Sequence, residues 1–131
     1  MRHIEPNHPH PEKGQIRVYE EGESIPDIRS SKQGSINDVT YFELENLLGQ
    51  ATYPNASFDE KVQKEWVIEF TPLSPLGEEP YLFRLYDWKS NSWREATTSN
   101  RTWSIGGEKD SGIVAMELES LLKTLIKMNT I

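Results

Sequence analysis

The clearest hydrophobic pattern in the chain is the alternation from Val62 to Phe70. Val62, Trp66, Ile68 and Phe70 share one side with Lys64, and Glu65, Val67 and Glu69 share the other. A period of two is the signature of a strand, and one apolar side with one charged side fits an antiparallel sheet packed on a single face. From Tyr81 to Trp88, Tyr81, Phe83, Leu85 and Asp87 alternate with Leu82, Arg84, Tyr86 and Trp88. Both sides are largely apolar, so this segment is expected to be the central strand. The connection from Thr71 to Pro80 has three prolines and a glycine and reads as a wide hairpin loop. Thr102 to Ile105 makes a third, short strand. Gln15 to Glu21, with Ile16 and Val18 set against Arg17 and Tyr19, makes a weaker one.

Two segments change to helical spacing. Thr40-Tyr41-Phe42-Glu43 is a capping box, in which the Thr hydroxyl accepts from the Glu43 amide and the Glu carboxylate reaches back to the Thr amide. The helix it opens carries Tyr41, Leu44, Leu47 and Leu48 on one face and stops at Gly49, the residue that tolerates a left-handed cap. Near the C-terminus, Gly106-Gly107 reads as a turn and Asp110 or Ser111 as the cap of a last helix. Val114, Leu118, Leu121, Leu122 and Leu125 form its apolar stripe, and Glu117, Glu119, Lys123 and Lys127 face water. Residues 22–36, with Pro26, Gly34 and four serines, read as an ordered loop, and residues 50–61 as another. The expected fold class is α+β: a small, mainly antiparallel β-sheet with two α-helices packed on one face. The pattern does not specify the strand order.

The chain has 131 residues, the size of one domain, assigned here to residues 15–131. Residues 1–14 hold three prolines, all three histidines and little apolar surface, so they are expected to form a flexible arm. His8 and His10 lack a third ligand nearby, and no metal site is expected. There is no cysteine, which excludes a disulfide framework, a thiolate zinc site and a cysteine nucleophile. No apolar run reaches the roughly 18 residues of a membrane span, and the start of the chain lacks a signal-peptide core. A soluble intracellular protein is expected.

Charge sharpens this picture. The net charge is −7, and residues 37–88 alone hold ten acidic and three basic side chains. Non-specific nucleic-acid binding requires phosphates to be neutralised, so this balance argues against it. Such an excess keeps a small domain soluble, and it also presents an acidic face to a basic partner.

Little in the chain suggests catalysis. A nucleophile needs a neighbouring base, and every histidine lies in the arm. The carboxylate pairs Glu20-Glu21 and Glu78-Glu79 fall in turns or at strand ends, where water keeps both ionised. Asp87, on the central strand, is the best single candidate for a buried carboxylate, and pairing or backbone amides at the strand end account for it without chemistry. No phosphate-binding loop or dinucleotide fingerprint occurs, and no cofactor is expected.

Binding has more support. The excursion Lys89 to Arg101 is polar, thirteen residues long, and carries Trp93 at its middle. Loops of this length are often functional. Trp93, Arg94 and Arg101 are therefore candidates for a protein interface, because an exposed tryptophan beside arginine is a typical anchor. A second candidate is a ligand site built from Lys89, Trp103, Gly106, Gly107 and Lys109. Amides exposed at a Gly-Gly turn attract anions, and an indole ring stacks on a base. On the plainer reading Trp103 is core, the glycines serve a turn, and the basic residues are solvated.

With Leu47-Leu48-Gly49, Glu65-Trp66-Val67-Ile68, Tyr86-Asp87-Trp88-Lys89 and Trp103-Ser104-Ile105-Gly106-Gly107 in place, the chain resembles a small domain recurrent in bacteriophages and other large DNA viruses. The resemblance covers about residues 38–108 and departs from the pattern between Lys89 and Trp103 and in the N-terminal thirty-odd residues. It implies a viral source and a place in the host-cell cytoplasm. It also implies a non-enzymatic protein that blocks or sequesters a host protein of a defence system. The alternative is a sponge for a signalling nucleotide, held at the Gly106-Gly107 turn.

Overall fold

The structure, a computed structural model, describes residues 2–4, 14–26, 30–53, 62–72, 79–88 and 101–129. Among these residues the strands are β1 (Arg2–His3), β2 (Gln15–Val18), β3 (Ser31–Val39), β4 (Val62–Thr71), β5 (Tyr81–Trp88) and β6 (Arg101–Gly107). They form one sheet in the order β1-β2-β4-β5-β6-β3, with every neighbouring pair antiparallel. Helices α1 (Tyr41–Leu48) and α2 (Gly112–Asn129) pack on one face of it. The expected α+β class is what the structure has, and β5 is, with β4, one of the two innermost strands.

Register decides which residues meet the helices. Trp66 stands opposite Leu85, Ile68 opposite Phe83, and Ile105 opposite Leu85 from the other side. Ile16 and Val18 continue the same row from β2. This face packs against Leu44, Leu47 and Leu48 of α1 and Leu118, Leu121, Leu122 and Leu125 of α2, all buried. Trp66 lies at its centre, with ring centroids 5.6 Å from Tyr41 and 5.7 Å from Trp103. Rings of this size dominate a small core, provided that the indole N–H finds an acceptor. The Trp66 indole donates to the Gly49 carbonyl at 3.0 Å and the Trp103 indole to the Val39 carbonyl at 2.9 Å. Val39 and Gly49 flank α1 on either side, so the two tryptophans fix both ends of that helix to the sheet.

The capping box at Thr40 forms with both of its hydrogen bonds, and Gly49 closes α1 at φ 81°. Glycine adopts that conformation without a Cβ penalty. For α2, the Ser111 carbonyl accepts from the Ala115 amide at 2.9 Å, while the Ser111 hydroxyl turns back to donate to the Glu108 carbonyl at 2.6 Å. A β-bulge between Val62 and Glu65 takes the Lys64 amide out of the regular ladder, and buried Asp87 accepts from it at 2.7 Å. This is the amide-accepting role open to Asp87 at a strand end.

Three expectations need correction. Residues 31–36 are not loop but part of the nine-residue edge strand β3. Register shifts at Lys32/Gly34 and Ile36/Val39, with Asp38 at φ 59°, destroy the period-two pattern by which a strand is recognised. The arm is not free at its start, since Arg2 and His3 pair with Val18 and Arg17 and Ile4 is 2% exposed. Residues 5–13 of that arm, His8 and His10 among them, lie outside the described residues. The second face of β4 is not wet at its middle either, because Glu65 and Val67 are both buried.

The chain between β2 and β3, where it is described, also lies on this second face. It has to pass β4, β5 and β6, a crossing of roughly 19 Å at the usual strand spacing, and the helices occupy the other face. Tyr19 and Pro26 share a cleft with Glu69 and Leu82 on the second face, and Ser30 reaches Arg84 at 3.5 Å. These residues form a strap over the sheet. Thr52 anchors its start, donating to the Tyr19 carbonyl at 2.6 Å and accepting from the Val67 amide at 3.0 Å.

Candidate functional site

The residues expected to form a ligand site do not come together as one. Gly106 and Gly107 are strand residues of β6, paired with Lys32 and Ser31 on one side and with Arg84 and Phe83 on the other. Neither has positive φ, so they offer no turn with amides exposed to an anion. They are glycines for lack of space. A Cβ on Gly107 would lie 2.8 and 2.9 Å from ring carbons of Phe83 and 2.9 Å from the Ser111 hydroxyl, and one on Gly106 would lie 3.3 Å from the Tyr86 ring. The turn begins one residue later, with Asp110 at φ 68° and Lys109 exposed. Trp103 is fully buried against Trp66 and presents no ring face to a ligand. Of the expected protein-interface residues, Arg101 opens β6. Trp93 and Arg94, together with Lys89 of the ligand set, lie outside the described residues.

The second face carries its charges in pairs. Glu65 is buried, and Arg84 holds it with a two-pronged contact, Nε to Oε1 and Nη2 to Oε2, each at 3.0 Å. Burial pushes the Glu65 carboxyl above the ordinary value, and the Arg84 hydrogen bonds and charge partly oppose this. A carboxyl raised by burial is a familiar feature of acid–base sites. Here, however, both of its oxygens are engaged by Arg84. One row along, Arg17 pairs with Glu69 across β2 and β4.

Beyond this row the sheet opens into a cleft of about 330 Å³ under the strap. Tyr19 and Pro26 come from the strap, and Glu69 and Leu82 from the sheet. Glu79, Pro80 and Tyr81 enter from the start of β5, and Glu108 from the end of β6. Three carboxylates from separate parts of the chain therefore converge there. Tyr19 is 7% exposed, and among the described residues its hydroxyl has no hydrogen-bond partner. Burial first, and then the charges of Glu69 and Glu23, push its pKa up, against a smaller opposing effect of Arg17. No sequence motif marks this cleft, because its parts are joined only by the strand order and the strap.

Ile113 and Met116, each 68% exposed on α2, and Phe42, 53% exposed on α1, are apolar residues outside the buried stripes. Their positions off the helical period were the sequence signal for them. Among the described residues no group of three or more His, Cys, Asp or Glu side chains is placed to hold a metal ion. No described helix is long and apolar enough to cross a membrane. No family model, curated protein or solved structure matches the chain.

Proposed function

We propose that the chain is a non-enzymatic binding protein, of bacteriophage origin, that blocks or sequesters a component of a host defence system in the host-cell cytoplasm. The viral source and the class of target rest on the resemblance carried by residues 38–108. The observation that favours binding over catalysis is the state of Glu65. Burial pushes its carboxyl upward, yet Arg84 donates to both of its oxygens and holds them in an ion pair rather than leaving them to face a substrate. The paired second face and the open cleft beside it then form a recognition surface, with Trp93 and Arg94 as the interface anchors named by the sequence.

The nucleotide reading is weakened by the strand conformation of Gly106 and Gly107. Capture from host lysate with tagged wild type and with a Trp93→Ala, Arg94→Ala double variant tests the proposal. A host protein retained by the wild type and lost from a folded double variant is expected. Micromolar nucleotide binding in isothermal titration, with no protein retained, would contradict it.

A further inference from the structure

We propose that the cleft under the strap takes a cationic side chain, an arginine or lysine presented by a protein partner. This rests on the reading of the chain as a protein-binding module and adds the chemistry of the partner's anchor.

Charge is the first ground. Of the three carboxylates at the cleft, Glu69 is already paired with Arg17. That pair also shows a guanidinium seated on this row of the sheet. Glu79 and Glu108 are exposed and have no ion pair among the described residues. A cation entering the cleft would meet two uncompensated negative charges.

The second ground is independent of charge. Buried polar groups are almost always hydrogen-bonded. Tyr19 lines the cleft with its side chain buried and its hydroxyl unpartnered among the described residues. The hydroxyl oxygen can accept from an ammonium or guanidinium N–H. Burial first, and then the charges of Glu69 and Glu23, raise the pKa of this phenol against a smaller effect of Arg17, so the hydroxyl keeps its proton.

The lining also fits the stem of such a side chain. Pro26, Pro80 and Leu82 offer apolar wall for methylene groups, and the Tyr19 ring offers an aromatic surface that attracts a cation. A divalent metal fits less well, since no metal-holding group of side chains occurs among the described residues. A phosphate backbone would be repelled by the same carboxylates.

The test is an NMR titration of the full ¹⁵N-labelled chain with acetyl-Gly-Arg-amide. Acetyl-Gly-Gln-amide serves as the neutral control and spermidine as a free amine. Saturable shifts confined to the amides around Tyr19, Leu82 and Glu108 are expected with the arginine probe. The Glu79→Gln, Glu108→Gln double variant should weaken them about fivefold or more, the scale of two exposed charge contacts. Both positions are at the surface, so an unchanged spectrum of the free variant shows that its fold is intact. Equal response to the glutamine probe, equal binding by the double variant, or no saturable shift would overturn the proposal. Saturation by spermidine alone would overturn it in favour of a free polyamine. No host protein enters the titration, so it can fail while capture from lysate succeeds, and the two readings fall separately.

Discussion

Substitution of the two adjacent glycines of β6 separates their surroundings sharply. The Cβ of Gly107→Ala would lie 2.8 and 2.9 Å from ring carbons of Phe83 and 2.9 Å from the Ser111 hydroxyl. Neither neighbour can easily give way. Phe83 is fully buried, and Ser111 is held by its hydrogen bond to the Glu108 carbonyl. Forcing a methyl group into a packed core costs about 1–3 kcal/mol, so a loss near 2 kcal/mol is expected. With an unfolding entropy of about 2.1 cal/mol/K per residue, that corresponds to a fall of about 7 °C in Tm. At Gly106 the new Cβ would meet the half-buried Tyr86 ring at 3.3 Å, a contact that a small ring movement relieves. Alanine also loses less chain entropy on folding than glycine, by about 0.5–1 kcal/mol, which offsets the crowding. Gly106→Ala should therefore stay within about 1 kcal/mol of wild type. Urea unfolding followed by tryptophan fluorescence measures both. Equal losses at the two positions, relieved at either by asparagine, would mean that the pair forms a left-handed turn and would refute the strand assignment.

Trp66→Ala and Trp103→Ala should each lose about 3–5 kcal/mol in the same assay. The double variant should lose less than their sum, because the two rings touch. Deleting residues 1–4 should lower stability by about 2 kcal/mol or more, since Ile4 is buried and Arg2 and His3 extend the sheet. An unchanged Tm would show that this edge contributes nothing. Stability should fall as pH rises above about 10, for a reason visible at Tyr41, whose pKa is raised first by burial and then by the hydrogen bond to Glu45. Below that pH both folded and unfolded chains keep the phenol proton and the contribution is fully present. Above it the unfolded chain releases the proton while the folded one retains it, so unfolding is favoured. Tyr41→Phe should flatten this alkaline limb of the urea midpoint against pH.

The legible parts of the fold are those in which local chemistry and tertiary packing agree. The Thr40 box, the Gly49 stop and the Tyr41, Leu44, Leu47 and Leu48 face all lie within one short segment, and each is in the structure as the sequence implies. The alternation of β4 and β5 is equally local. Strand β3 was hidden because its two register shifts leave only Ile36 and Val39 buried, too few to show a period. Gly106-Gly107 was misread for a related reason. Glycine signals a turn when only the sequence is in view, whereas here it answers to a phenylalanine twenty-four residues away and a serine beyond the strand. The burial of Glu65 and Val67 and the cleft beside them depend on contacts between distant parts of the chain, and neither leaves a local trace. His3 and Ile4 lay in a segment too polar on average to suggest that its first residues pair.

The reading of this chain as a binding protein is tested most directly by native mass spectrometry of the tagged chain purified from host cells that express it. The expected spectrum shows a complex whose mass exceeds that of the 15.1 kDa chain by that of one host protein. That complex should be absent for the Trp93→Ala, Arg94→Ala double variant. A spectrum showing only the chain, or the chain carrying a nucleotide-sized mass and no protein, would contradict it.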